Sequence, residues 1–220
     1  GGQKLLRWVL PEEYFNGYQY VYIGDVDILM LKEKECLFEF HIKQAIKFNL
    51  PFSNRVRPLP EGGLSKRLTG LHFFEVKPYY KKISILADKI LNDKEFSINY
   101  LLGLERNEHV LYNLVKDCIG FNENEVAKML RPWHGFHVGV VRGGLKMSRE
   151  QIEGNSSIPF NDIKKQLSDV LNDPNFIKIF KSSFCVEIYW SFLQFGIKIP
   201  LSLKLAYIKF NINYLMIKIK

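Results

Sequence analysis

The stretch Tyr20-Val21-Tyr22-Ile23-Gly24-Asp25-Val26-Asp27-Ile28-Leu29-Met30-Leu31 decides how the rest of the chain is read. It is apolar, β-branched and aromatic, which predicts a buried strand. Two carboxylates sit in its middle. Side chains alternate along an extended chain, so Asp25 and Asp27 share one side and Val26 takes the other. Two like charges in apolar sequence repel each other and hydrate poorly. Burying them unpaired costs on the order of several kcal/mol. A hard divalent cation such as Mg²⁺ or Mn²⁺ removes that penalty, because it takes carboxylate oxygens and shares them with phosphates. The expectation is a metal site at the end of a central strand. The alternative is that Gly24-Asp25 turns the chain between two short strands, since both residues favour turns.

Outward from this stretch, residues 3–15 read as a short helix stopped near Pro11, with Glu12 and Glu13 opening the next turn. Residues 33–48 carry helical spacing, and Leu50-Pro51 closes them. Pro51, Pro58, Pro60, Gly62 and Gly63 predict an irregular loop over 51–66, with Arg55, Arg57, Lys66 and Arg67 along it. Arg67–Phe74 reads as a strand with Gly70 inside, where a ligand or another backbone can approach closely. His72 either faces that gap or is a hydrogen-bonded core histidine. Helical periodicity returns at 79–94, 107–118 and 122–130. The second of these opens with Asn107 and Glu108, which can cap a helix and hold a carboxylate at its start.

Residues 131–144 combine His134, His137, Arg131, Arg142 and four glycines. That density suits a phosphate-handling loop. Residues 159–173 predict an amphipathic helix with Ile163, Leu167, Val170 and Leu171 on one face. Residues 175–196 read as one aromatic helix, apolar nearly all round from Phe184 to Phe195, which must be buried or meet a partner or a lipid surface. The tail, 200–220, alternates like a strand. As a helix it would carry two opposed polar stripes. Edge strand, frayed end and contact with an anionic membrane all stay open for it.

The chain has 220 residues, 47% hydrophobic and 14% aromatic, enough for one large domain or a domain with an appendage. Cys36, Cys118 and Cys185 are too far apart for a metal or redox spacing, which predicts reduced thiols and a cytosolic setting. No apolar run approaches the ~18 residues that span a membrane. Of the net charge of +8, residues 54–94 carry +5 and residues 201–220 carry +4, leaving −1 elsewhere. Such clusters attract phosphates or an anionic surface. No nucleic-acid-binding motif accompanies them, so nucleic acid is not an expected partner.

Taken together, Arg7-Trp8-Val9-Leu10-Pro11, the Asp25/Asp27 pair, Leu68-Thr69-Gly70-Leu71-His72-Phe73, Asn107-Glu108 and His137-Val138-Gly139-Val140-Val141-Arg142 form an ordered series. It resembles the metal-dependent, GT-A-fold nucleotide-diphospho-sugar glycosyltransferases, nearest to glycosyltransferase family 8 and its relatives. The resemblance spans roughly residues 4–143. It implies an α/β fold: a mixed sheet flanked by helices, with a C-terminal helical segment. The implied division is a partial GT-A catalytic domain over 1–150 and a C-terminal extension over 151–220.

It implies further that Asp25, Asp27 and His137 bind Mn²⁺ or Mg²⁺, with His134 the alternative histidine. Arg7, Gly139 and Arg142 would bind the donor and its phosphates. Thr69, Gly70 and His72 would line the sugar or acceptor pocket, although the family's Asn-Ala pair is absent there. Glu108 would position or deprotonate the acceptor. In such enzymes about a hundred residues precede the aspartates and build the nucleotide-binding strands. Here 24 precede Asp25, so the expectation is an N-terminally truncated fragment.

The expected function is sugar transfer from a nucleotide-diphosphate donor, UDP-linked in the family, to a hydroxyl on a glycan or lipid-linked acceptor. Surface polysaccharide synthesis would fit, with the chain cytoplasmic or at the inner membrane face and touching it through 184–220. Two rival classes are a metal-dependent phospho- or nucleotidyltransferase and a non-catalytic module that binds a partner or membrane.

Overall fold

Tyr20–Ile23 forms strand β1 and Ile28–Met30 forms strand β2, so the long apolar run is two strands rather than one. Gly24 and Asp25 lie between them outside any strand. In this computed structural model the described residues are 5–25, 28–104, 106–129, 135–137, 159–182 and 186–219. Contacts divide the chain into two units, Gly1–Val26 with Leu37–Arg131, and Asp27–Cys36 with Pro132–Lys220. The expected domain boundary at residue 150 falls outside the described residues.

The first unit opens with helix α1 (Leu6–Val9) and a 3-10 turn at Glu12–Phe15. After β1 come helix α2 (Leu37–Lys47) and strands β3 (Phe52–Ser53), β4 (Val56–Pro58), β5 (Leu64–Leu68) and β6 (His72–Glu75). Helices α3 (Val76–Asn92), α4 (Lys94–Leu101), α5 (Asn107–Cys118) and α6 (Glu123–Ala127) follow. The expected loop over 51–66 thus holds two short strands and the start of a third. Its glycines do turn the chain: Gly62 and Gly63 have φ of +97° and +83°, where a Cβ would be strained. The expected strand Arg67–Phe74 is two strands, with Thr69-Gly70-Leu71 as the joint between them.

The sheets are antiparallel, not mixed, among the described residues. β6 lies between β1 and β3, with Val21 opposite Phe74 and Phe52 also opposite Phe74. β4 pairs with β5, Val56 opposite Leu68. Alternation on β6 separates two aromatic faces. Phe73 stacks on His41 of α2 at 5.1 Å and on Tyr20 at 5.5 Å. On the other face Phe74 stacks on Tyr79 of α3 at 4.4 Å. Trp8, Phe52, Ile83, Leu111, Leu114 and Met129 complete that core. Each fully buried aliphatic or aromatic side chain there contributes roughly 1.5–3 kcal/mol.

The second unit contains β2, paired antiparallel with β7 (Gly135–His137), and helices α7 (Phe160–Val170), α8 (Pro174–Ser182), α9 (Val186–Gln194) and α10 (Leu201–Ile219). Residues 175–196 therefore form two helices rather than one, and the tail is a helix rather than a strand. Ile163, Leu167, Phe180, Phe192 and Leu203 make its core, together with Leu31. Gln166 of α7 brackets the backbone of Lys32. Its Oε1 accepts from Lys32 N at 2.6 Å, and its Nε2 donates to Lys32 O at 2.7 Å. This side-chain amide stands in for a neighbouring strand. Among the described residues no helix is long and apolar enough to cross a membrane.

Candidate functional site

Four stretches of the first unit converge on one carboxylate. α1 projects Arg7, whose Nη1 donates to Asp25 Oδ1 at 2.7 Å and lies 3.4 Å from the Gly24 carbonyl. Arg7 Nη2 donates to Asn107 Oδ1 at 3.1 Å, at the first residue of α5. Trp8 Nε1 donates to the same Asn107 oxygen at 3.2 Å, and the Arg7 guanidinium lies 4.2 Å from the Trp8 ring centre. Gly70 closes the group: a Cβ there would stand 3.0 Å from Asp25 Oδ2 and 3.5 Å from Arg7 Nη2. Gly70 has an ordinary backbone, so its lack of a side chain serves the approach of the carboxylate and not a turn.

The planar fork of arginine explains why this residue holds the site. It reaches a carboxylate and an amide at once while its face stacks on an indole. Asp25 and Arg7 are partly exposed, 33% and 24% by side chain, so the pair opens to solvent on one side. Asp25 Oδ2 has no hydrogen-bond partner among the described residues. It is a hard oxygen of the kind that divalent cations take. The Arg7 fork, expected to meet the donor, is engaged within the protein.

The remaining candidates separate. Thr69 is buried, with its hydroxyl 2.6 Å from Asn54 Oδ1. His72 is a core residue and not a pocket residue, which corrects the expectation. Its Nδ1 accepts from Asn54 Nδ2 at 3.0 Å and its Nε2 meets the Tyr79 hydroxyl at 3.0 Å. An amide nitrogen can only donate, so Nδ1 is bare and the proton sits on Nε2. Burial, with a smaller contribution from His41, lowers the imidazole pKa to about 3. This ring is neutral at physiological pH and inaccessible to a substrate.

Glu108 pairs with an arginine of β4. Its carboxylate lies 3.9 Å from Arg57 Nη2. Arg57 and Arg67 adjoin the Val56–Leu68 pair on β4 and β5, and α5 packs on β5 with Arg106 at its start. Burial and then the charges of Arg57 and Arg106 push the Arg67 guanidinium down, and Glu108 offsets them in part. The acid thus sits among arginines. α5 begins where the sequence predicts, but no side chain caps it: Arg106 stands at the cap position, and Asn107, the first helical residue, accepts from Arg7 and Trp8.

Asp27, His134, Gly139 and Arg142 lie outside the described residues. His137 is known by its backbone, which pairs with Ile28. Among the described residues no group of three His, Cys, Asp or Glu side chains is placed to hold a metal ion. The residues that sequence reasoning missed are Trp8 and Asn54. Trp8 follows Arg7 directly, and an indole that must be buried needs an acceptor, which was the available signal.

Comparison with known proteins finds no matching family model, no significantly similar curated protein and no significantly similar solved structure.

Proposed function

We propose that the chain is a divalent-metal-dependent glycosyltransferase domain, acting on a nucleotide-diphosphate sugar and a hydroxyl acceptor. The observation that supports this most is the convergence of Arg7, Asp25, Gly70 and Asn107. These residues are scattered over a hundred positions, and Arg7, Asp25 and Gly70 are among the site residues that the resemblance implies. Asp25 fits a hard cation through its uncommitted Oδ2, and Asp27 would be the second carboxylate. A cation held there would act as Lewis acid toward the leaving diphosphate.

The protein's own groups would do the rest. Arg7 fixes the Asp25 carboxylate through Oδ1 and leaves Oδ2 to a ligand. Gly70 lets the Asp25 carboxylate sit against the backbone of the joint between β5 and β6. By the resemblance alone, His137 would be a metal ligand and Gly139 and Arg142 phosphate-binding residues. Glu108, held near Arg57, would position the acceptor.

The 2.7 Å Arg7–Asp25 pair favours a second reading. A guanidinium already neutralises Asp25, so the cluster can also serve as a clasp in a non-catalytic binding module. Calorimetric titration with Mn²⁺ and UDP separates the two. The transferase reading expects UDP binding that requires Mn²⁺ and is lost in Asp25→Asn, together with release of nucleoside diphosphate when donor and acceptor are supplied. Binding that ignores both the metal and Asp25→Asn would favour the clasp.

A further inference from the structure

α10 has two apolar faces. One carries the fully buried Leu203 and the partly buried Tyr207, whose ring stacks on Tyr189 of α9 at 4.5 Å with planes 4° apart. The other carries Leu201, Leu205, Ile208 and Ile212, which are 71%, 58%, 53% and 55% exposed. Their spacing is four, three, four. At ~100° per residue they project within about 60° of arc. The sequence repeats the spacing at Leu215 and Ile219. Single exposed leucines need no explanation, but a continuous ridge of them marks an interaction surface.

The borders of the ridge say what covers it. Lys204 lies along one border and Lys209 along the other, and both are exposed. No Asp or Glu occurs after Glu187. A second copy of the helix fits poorly. With the four aliphatic residues as core positions of a two-stranded seam, Lys204 and Lys209 occupy the two flanking positions. Parallel pairing then sets Lys204 against Lys209, and antiparallel pairing sets each lysine against its own copy. Trp190 of α9, 47% exposed, stands edge-on to Tyr207 at 5.8 Å. An exposed indole on the neighbouring helix is of the kind that sits at the headgroup level of a bilayer.

We infer that α10 docks on an anionic lipid surface, with Leu201, Leu205, Ile208 and Ile212 entering the acyl boundary and Lys204 and Lys209 against the headgroups. This surface stands independently of the transferase reading.

The test uses the full chain and phosphatidylcholine vesicles, with and without phosphatidylglycerol, in a cosedimentation assay. The chain is expected to bind the anionic vesicles and to leave them as salt is raised. Replacing Lys204→Gln or Lys209→Gln lowers the partition roughly fivefold each. The double variant Leu205→Ser, Ile208→Ser lowers it by more than about tenfold. All four positions are exposed, so circular dichroism should report unchanged helix content. The lysine variants keep the ridge intact and read the charge separately. Failure to bind either vesicle overturns the inference. So does equal binding to neutral vesicles without salt dependence. A dimer seen by light scattering and dissolved by the Leu205→Ser, Ile208→Ser variant would assign the ridge to a second copy and overturn it as well.

Discussion

Gly70 and Asp25 approach so closely that a Cβ on residue 70 would stand 3.0 Å from Asp25 Oδ2 and 3.4 Å from Oδ1. The clash falls on the end of a side chain, and the backbone at residue 70 is ordinary. Gly70→Ala should therefore fold with a stability loss of about 1 kcal/mol or less, because the carboxylate can move by a few tenths of an ångström. That small movement matters to a ligand held by Oδ2. The affinity for Mn²⁺ with a nucleoside diphosphate should fall by about tenfold or more, since a misplaced hard ligand is poorly compensated. Thermal unfolding and calorimetry on the same variant measure both. Unchanged affinity would remove Asp25 Oδ2 from the binding site.

Asn107 and Glu108 are neighbours with different duties. Asn107 Oδ1 is the acceptor for the buried Trp8 indole and for Arg7 Nη2. Asn107→Ala leaves the Trp8 donor unsatisfied and should cost about 1–3 kcal/mol. Glu108 faces Arg57 at 3.9 Å, with side chains 18% and 34% exposed. Glu108→Gln should cost less than about 1 kcal/mol, as partly exposed pairs do. Urea unfolding of the two variants decides the order. If Glu108→Gln proves the more damaging, the acid has a structural role that its distance from Arg57 does not suggest.

Asn54 is the hub behind the joint that carries Gly70. Its Oδ1 accepts from Arg55 N at 2.6 Å, Thr69 N at 3.0 Å and the Thr69 hydroxyl at 2.6 Å. Its Nδ2 donates to Thr69 O at 3.2 Å and to His72 Nδ1 at 3.0 Å. Asn54→Ala strips all of these from buried groups and should cost about 3 kcal/mol or more. Asn54→Asp is the sharper variant. It replaces the donor facing His72 by a second oxygen, which favours a proton on Nδ1 and raises the imidazole pKa. The ring signals in an NMR titration should show that rise, and an unmoved pKa would mean the Asn54 amide is oriented the other way.

Some of this was legible in the sequence for reasons that are local. Asn107–Cys118 and the Ile163/Leu167 face follow from helical periodicity alone. At Gly24-Asp25 turn chemistry and apolar β propensity compete, so the sequence alone leaves a break there undecided. The short strands between 51 and 68 were hidden. Their pairing depends on partners such as Phe74, some twenty residues on, while their own prolines and glycines argue for a loop. The tail was hidden for another reason. α10 buries one apolar face and exposes another, so the two cancel in any amphipathic signal. At the site, residue type points to Asp25 and Gly70, and the resemblance to Arg7. The Trp8–Asn107 bond spans 99 positions and leaves no local trace.

His72 gives the fold a defined response to acid. Burial lowers its folded pKa to about 3, below the unfolded value near 6.5. Between these values the unfolded chain binds a proton that the folded chain does not. Unfolding is then favoured as pH falls, by roughly 1 kcal/mol per pH unit at most from this group. Its contribution is fully present above about pH 6.5 and declines as pH drops toward 3. Chemical denaturation from pH 7.5 down to about 5 reads this slope before carboxylate protonation dominates. In the folded protein the His72 ring should keep its Nε2–H form and not titrate over that range by ¹⁵N NMR. A titration midpoint near 6.5 would mean the ring reaches water, and the slope should then vanish.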